Sequence, residues 1–286
     1  MTSAVLSLTT GELSGGASPS EDRIFRTPRA VIVLDGVSTV HDGQDPRGGW
    51  YAQTLGRRLA VALSATPGAG LRSMLEDAIA SVADLSGLRP GASPAATVSI
   101  VRLHDHQVDA LTLGDSPVIA IRTSGTVEEV RDDRLAGLVG AHAAHARYRD
   151  RLRNGGGFQA AEHRELLRQL RDHQMRHVNR EVEGAYWIAE AVPEAARHAV
   201  TRSWPVSDLA EVLAMTDGVS AVVDEYRLIE SWAEFAELCR DRGPARVVQM
   251  IRAAESGDPD GKRWPRYKPA DDKSLAVLRF CVEERR

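Results

Sequence analysis

Acidic residues stand at the ends of apolar runs at five places in this chain. Asp35 closes Ala30-Val-Ile-Val-Leu34, Asp115 follows Ala110-Leu-Thr-Leu-Gly114, and Asp217 follows Val212-Leu-Ala-Met-Thr216. Asp271-Asp272 precedes the run from Ser274 to Phe280, and Glu21-Asp22 precedes Ile24-Phe25. A carboxylate placed beside a core is costly unless something pairs with it, and no regularly spaced Arg or Lys accompanies these. Acids without basic counterparts point to divalent cations. Oxygen donors without His or Cys at matched spacing suit hard ions such as Mg²⁺ or Mn²⁺. A local reading competes. Four Asp-Gly pairs occur, at 35-36, 42-43, 217-218 and 260-261, and Asp-Gly is first of all a turn signal. The pattern alone leaves the two readings level.

The elements that would carry these acids can be read from periodicity. Ala30 to Leu34 is a continuous apolar, β-branched run, expected as a buried strand. Residues 4–9 alternate loosely, as a first edge strand with Gly15-Gly16 as its turn. Helices are expected at 50–64 and 71–85, the second with Leu71, Leu75, Ile79 and Val82 on one face. Strands are expected at 96–103, 108–113 and 118–122, joined as a meander by His104-Asp-His106 and Gly114-Asp-Ser-Pro117. Helices at 130–153 and 159–181 follow, separated by Gly155-Gly-Gly157. Further strands are expected at 186–188, 198–202, 212–215 and 274–281, with helices at 226–240 and 244–255. Strands in runs with helices in pairs between them indicate an α+β protein with two mainly antiparallel sheets and flanking helices.

Composition narrows the function classes. The 286 residues hold 36 Lys and Arg against 40 Asp and Glu, a net charge of −4, with 43% hydrophobic residues. That balance excludes a nucleic-acid binder held by bulk positive charge and a disordered acidic chain. Cys239 and Cys281 stand far apart, which excludes a disulfide framework and a four-cysteine zinc site. They read as buried free thiols of a reducing compartment. No secretory leader and no membrane span is expected, so the expected location is cytoplasmic. A single domain over 1–286 is expected, with a helical insert at about 127–183. Between residues 147 and 180 nine arginines face four acids. Gly155-Gly-Gly157 lacks the Lys-Ser/Thr of a phosphate loop. His142 with His145, and His173 with His177, have ligand-like spacing, but a polar surface helix is the expectation. Trp187, Trp204 and Trp232 are expected in the core.

The ordered series Glu21-Asp22, Val33-Leu-Asp-Gly36, Ala95-Ala-Thr-Val98, Leu113-Gly-Asp-Ser116, Met215-Thr-Asp-Gly218 and Asp271-Asp-Lys-Ser resembles the type 2C family of metal-dependent protein serine/threonine phosphatases, in a compact bacterial form. The resemblance runs from about Glu21 to Phe280. It implies a four-layer αββα sandwich with two Mg²⁺ or Mn²⁺ ions at one end of the sheets. By position, Asp35 would bridge both ions, and Asp217 and Asp272 would complete one site. Glu21 and the Gly36 carbonyl would serve the other, and Asp22 would order metal-bound water. Asp115 with Asp217 matches the place of a third, weaker ion. The implied activity is hydrolysis of phosphoserine and phosphothreonine in proteins by a metal-activated water, with no covalent nucleophile.

The departures concern the phosphate. The family's Arg four residues before the Glu is Ala17 here, its Gly-Gly after the Asp-Gly is Val37-Ser38-Thr39, its late Asn is Lys273, and Pro117 follows the Gly-Asp-Ser. Arg23, Arg26 and Arg29 are the nearest basic replacements, with a solvated loop as the plainer reading of them. Two alternatives accompany the phosphatase reading. One is a weakly catalytic regulatory protein that docks an acidic or phosphorylated partner on Arg164, Arg168 and Arg171. The other is a phosphatase of small phosphate esters.

Overall fold

The structure, a computed structural model, describes residues 3–37 and 47–283. The Ser38-Thr39 and Asp42-Gly43 positions lie outside the described residues, and so does the side chain of Cys281. In chain order the elements are β1 (Ser3–Leu13), β2 (Arg23–Arg26), β3 (Ala30–Leu34), β4 (Gly36–Val37), α1 (Gly48–Ala65), α2 (Leu71–Ser86), β5 (Ala95–Ala96), β6 (Val98–His104), β7 (Gln107–Leu113), β8 (Val118–Arg122) and β9 (Val127–Val130). Then come α3 (Arg134–Gly140), α4 (Ala143–Arg153), α5 (Ala161–Met175), β10 (Val200–Pro205), β11 (Leu209–Met215), α6 (Asp217–Asp224), α7 (Trp232–Arg242), α8 (Pro244–Ser256) and β12 (Lys273–Glu283).

Two five-stranded sheets have the orders β1-β12-β11-β8-β9 and β10-β7-β6-β3-β2, and their strand pairings are antiparallel. Side-chain alternation along the strands makes three apolar layers. Ala30, Ile32 and Leu34 face α1 and α2, together with Ile100 and Leu111. Val31, Val33, Val101 and Ala110 turn the other way, against Val118, Ala120, Val212 and Ala276 of the second sheet. The outer face of that sheet, with Ile119, Leu213 and Val277, is covered by α6, α7 and α8. The result is the expected αββα sandwich. Trp187, Trp204 and Trp232 are buried as expected.

Five expectations change. The strand expected at 186–188 does not form; only isolated bridges occur there, Val178 with Tyr186 and Ala96 with Ala189. The strands 108–113 and 118–122 do not form one meander, because β7 and β8 lie in different sheets. Gly114, at φ 85°, and Pro117 carry the chain across between them, and β8 pairs with β11 instead. The region from 127 begins as strand β9 at the sheet edge before turning helical. The helix expected at 130–153 is two helices, broken at Ala141-His142, and α5 ends at Met175. The helix expected from Tyr226 starts at Trp232, capped by Ser231, whose Oγ accepts the Glu234 N–H at 3.2 Å.

Helices α3, α4 and α5 share a core of their own, in which Tyr148, Leu152, Phe158, Leu166 and Leu170 are buried. They dock on the loop before β12. The Tyr148 and Tyr267 rings lie 5.3 Å apart, and His163 Nε2 is 3.1 Å from the Tyr267 carbonyl.

Candidate metal centre

Antiparallel register brings the acidic strand ends to one end of the sandwich. Arg23 pairs with Leu34, which sets Asp22 beside Asp35. Met215 pairs with Leu275, and the Thr216 N–H donates to the Ser274 carbonyl at 3.0 Å, which sets Asp217 beside the Asp271-Asp272 pair. Thr97 ties the Asp35 end to the remaining one, the Asp115 turn. Its N–H donates to the Asp35 carbonyl at 3.0 Å, its Oγ1 accepts from the Asp35 N–H at 3.2 Å, and the same oxygen lies 2.5 Å from Ser116 Oγ in the Asp115 turn. Thr216 makes a second tie, because its hydroxyl donates to Asp22 Oδ2 at 2.8 Å and accepts from the Ser274 N–H at 3.0 Å.

The Asp-Gly pairs prove to differ. Gly261 has φ 66° and is a turn glycine. Gly36 and Gly218 are needed for close approach instead. A Cβ on Gly36 would meet the Gly48 backbone at 2.5 Å and the Glu21 carbonyl at 2.8 Å. A Cβ on Gly218 would lie 2.0 Å from the Asp272 carbonyl. The absence of side chains at these two positions lets the segments bearing Asp35, Glu21, Asp217 and Asp271 close on one another. Gly48 and Gly49, at the start of α1, complete the contact: a Cβ on Gly49 would meet Glu21 Cα at 3.2 Å.

Crowded, desolvated carboxylates hold their protons more tightly. Burial above all pushes Asp22 up to about 7, with the Asp271 and Asp272 charges adding to it and the Thr216 bond opposing it. Burial likewise pushes Asp115 up to about 6, with Asp132 and Asp271 adding to it. Asp35 and Asp217 are held well above the carboxylate range, first by burial, then at Asp35 by the charges of Asp22, Asp217, Asp271 and Asp115, and at Asp217 by those of Asp271, Asp115 and Asp22. Lys268 opposes this at Asp217.

The donors present fit divalent cations. Asp22 Oδ1 and Asp217 Oδ1 are buried with no hydrogen-bond partner, a costly arrangement that an ion would relieve. Hard oxygen donors of this kind suit Mg²⁺ or Mn²⁺. Among the described residues no three His, Cys, Asp or Glu side chains are drawn close enough to hold an ion together. Of these acids, Asp115, Asp217 and Asp271 line one cleft.

Most of the residues expected from the sequence come together here: Asp22, Asp35, Asp115 and Asp217, with Glu21 and Gly36 at the α1 side. Asp272 takes a different part. Its Oδ1 accepts the Gly15 N–H and its Oδ2 the Glu21 N–H, each at 2.7 Å, so it pins the segment before β2. Asp271 is the member of the pair that adds its charge to Asp35, Asp115 and Asp217. Arg23 is spent on the Ser20 and Asp22 carbonyls, at 2.5 and 2.6 Å, and on Gln53. Arg26 bonds Thr10, and both it and Arg29 stand at the β2–β3 turn, the far end of the strands. Lys273 points away from the acids into the helix-covered layer. Arg168, expected to receive a partner, is paired with Glu165 at 2.7 Å and Asp172 at 2.6 Å, and Arg164 caps the Gln159 carbonyl.

Sequence reasoning passed over Asp132, which bonds the Gly114 N–H and pairs with Arg134 at 2.5 Å. It also passed over Lys268, whose Nζ is 2.5 Å from Asp271 Oδ1. Its place three residues before Asp271 was the available signal. The histidines were expected on a polar helix surface. His142, His173 and His177 instead lie half-buried against one another with their rings tilted, centroids 4.6 and 4.5 Å apart in turn. A cleft of about 310 Å³ runs from Asp115, Asp217, Lys268 and Asp271 to Val139 of α3 and Tyr148 of α4.

The sequence profile of the protein phosphatase 2C family matches residues 17–252. No curated protein matches the chain in sequence. Solved structures do resemble it in fold. The catalytic domain of the serine/threonine protein phosphatase PstP, solved with two manganese ions, aligns at TM-score 0.56 and 15% identity over 97% of this chain and 99% of that one. The PPM Ser-Thr phosphatase MsPP from Mycobacterium smegmatis, solved with cacodylate, aligns at TM-score 0.56 and 20% identity over the same shares. PppA of Pseudomonas aeruginosa aligns at TM-score 0.54 and 18% identity over 98% of this chain and 100% of that one.

Proposed function

This chain belongs to the protein phosphatase 2C family, and we propose that it is a divalent-metal-dependent phosphatase acting on phosphoserine and phosphothreonine in proteins. The observation that carries the reading is the pair of buried, partnerless oxygens, Asp22 Oδ1 and Asp217 Oδ1, in a crowd of raised carboxylates. The substrate class comes from the relatives of like fold, which are serine/threonine phosphatases.

Asp35 would lie between two cations, with Asp217 and Asp271 on one side and Glu21 with the Gly36 carbonyl on the other. Asp271 stands here in place of Asp272, because Asp272 is bonded to two backbone N–H groups. Asp115, backed by Asp132, would serve a third ion together with Asp217. When bound, the cations would supply an activated water and offset the charge developing on the phosphate. Thr216 holds Asp22 by one oxygen and leaves the other without a protein partner. No side-chain nucleophile is needed. Cys239 is buried in the α7 layer, and its thiol is pushed up to about 12, chiefly by burial.

Hydrolysis of p-nitrophenyl phosphate and of a phosphothreonine peptide is expected with Mn²⁺ or Mg²⁺ and is expected to vanish in Asp35→Ala. Full activity in Asp35→Ala, or none in the wild type with either ion at high enzyme concentration, overturns the proposal. Comparing kcat/KM on phosphopeptides and on small phosphate esters separates the protein phosphatase from a metabolite phosphatase.

A further inference from the structure

The phosphate lacks its expected partner in this chain, because Ala17 stands at the arginine position. The basic residues around the acids sort themselves by what already holds them. Arg23 is bound to two carbonyls and Gln53. Arg131 is held by Asp224 through two bonds of 2.7 and 3.0 Å, and by Glu129 at 2.9 Å. Arg266 is buried, and its guanidinium is bonded to Asp258 and to the carbonyls of Glu255, Asp258, Trp264 and Pro269. Lys268 differs from all three. Its side chain is 57% exposed on the wall of the cleft, and its ammonium meets one carboxylate, Asp271, at 2.5 Å.

We propose that Lys268 is the phosphate-binding residue of this site, replacing from the β12 side the arginine that the segment before β2 lacks. The proposal rests on the phosphatase reading. The loop that carries Lys268 is built to hold it in place. Arg266 and Asp258 fix the loop before it, the Tyr267 ring packs on Tyr148, and the Tyr267 carbonyl meets His163. Only the four-carbon stem is left to move. A cation bound to Asp271 repels the ammonium, and a phosphate dianion over the same acids attracts it. The lysine then acts as a point charge on the phosphate, without the planar fork of an arginine.

The test is inorganic phosphate binding to the Mn²⁺-loaded protein by calorimetry, with Mn²⁺ binding measured separately on each variant. Lys268→Met is expected to weaken phosphate at least about tenfold and to leave Mn²⁺ binding equal or tighter. Lys268→Arg is expected to regain most of the phosphate affinity. Unchanged phosphate binding in Lys268→Met, a parallel loss of Mn²⁺ binding, or no phosphate binding by the wild type at millimolar concentration overturns the proposal. A wild type that binds phosphate through Lys268 but hydrolyses nothing leaves this proposal standing and removes the phosphatase reading. Normal hydrolysis with full phosphate affinity in Lys268→Met does the reverse.

Discussion

Lys273 Nζ lies 2.6 Å from Glu255 Oε2, and neither side chain is exposed to solvent at all. Tyr226 donates its hydroxyl to the other Glu255 oxygen at 3.1 Å, and the same lysine donates to the Asp271 carbonyl at 2.8 Å. Lys273 thus serves as a buried strut. It ties the backbone of Asp271 to helix α8 from behind the acids.

Removing one partner of a buried pair leaves the other charge stranded. Lys273→Met is therefore expected to lose about 3–5 kcal/mol of stability in denaturant unfolding. Lys273→Met with Glu255→Leu is expected to recover a large part of it. If the strut also positions Asp271, the double variant regains stability but not Mn²⁺ affinity. Recovery of both together would show that the pair serves stability alone.

The two neighbouring aspartates are expected to respond oppositely. Asp271→Asn keeps an oxygen for the Asp272 N–H, which now bonds Asp271 Oδ1 at 2.8 Å. Its melting temperature should therefore change little, while Mn²⁺ affinity falls at least about tenfold. Asp272→Ala strands the Gly15 and Glu21 N–H groups, and a loss of about 2 kcal/mol is expected. Calorimetric Mn²⁺ titration beside thermal melts distinguishes the two. A large affinity loss in Asp272→Asn with an unchanged melt would restore Asp272 as the ligand.

What the sequence made legible follows from what each signal depends on. The strands β3, β11 and β12 and the acids at their ends were readable, because apolar runs and their polar stops are local. The choice between Asp271 and Asp272 was not readable, since it is decided by backbone donors at Gly15 and Glu21, more than 250 residues away in the chain. The chain crossing at Gly114–Pro117 looked like a hairpin, because a tight turn between two apolar strands reads the same whether the second strand joins the first sheet or the other. Helix α6 was missed because Asp217-Gly218 reads as a turn, while the structure uses it to open a helix. The start of α7 was readable in Ser231-Trp-Ala-Glu234, a capping-box pattern, but the apolar residues from Tyr226 onward obscured it.

Gly218 gives a steric test of how the centre closes. Its missing Cβ would stand 2.0 Å from a backbone carbonyl, and its φ is not in the left-handed region. Gly218→Ala therefore costs through overpacking and not through backbone strain, by about 1–3 kcal/mol. The same shift would separate Asp217 from Asp271, so Mn²⁺ affinity should fall with it. Gly125→Ala, at a positive-φ turn with open space around it, is expected to lose stability while keeping full Mn²⁺ affinity. Equal Mn²⁺ affinity in both variants would contradict the close-approach role.

Protons and cations compete for the same acids, which fixes the sign of a pH effect. In the folded protein without divalent ions, Asp22 keeps its proton up to about pH 7 and Asp115 up to about pH 6. In the unfolded chain both lose it near the ordinary aspartate value of about 3.9. Between these limits the folded state binds more protons, so the stabilisation is full below about pH 4 and is lost as pH rises through 6 and 7. In EDTA the melting temperature is therefore expected to fall between pH 5.5 and pH 8, through the part of that window clear of general acid unfolding. Asp22→Asn should flatten the fall, since an amide has no proton to lose. Saturating Mn²⁺ should raise the melting temperature most at pH 8, where the acids are ionised and hold the ion best. A melting temperature in EDTA that climbs with pH over this range would mean that the acids are paired within the protein and are not waiting for a cation.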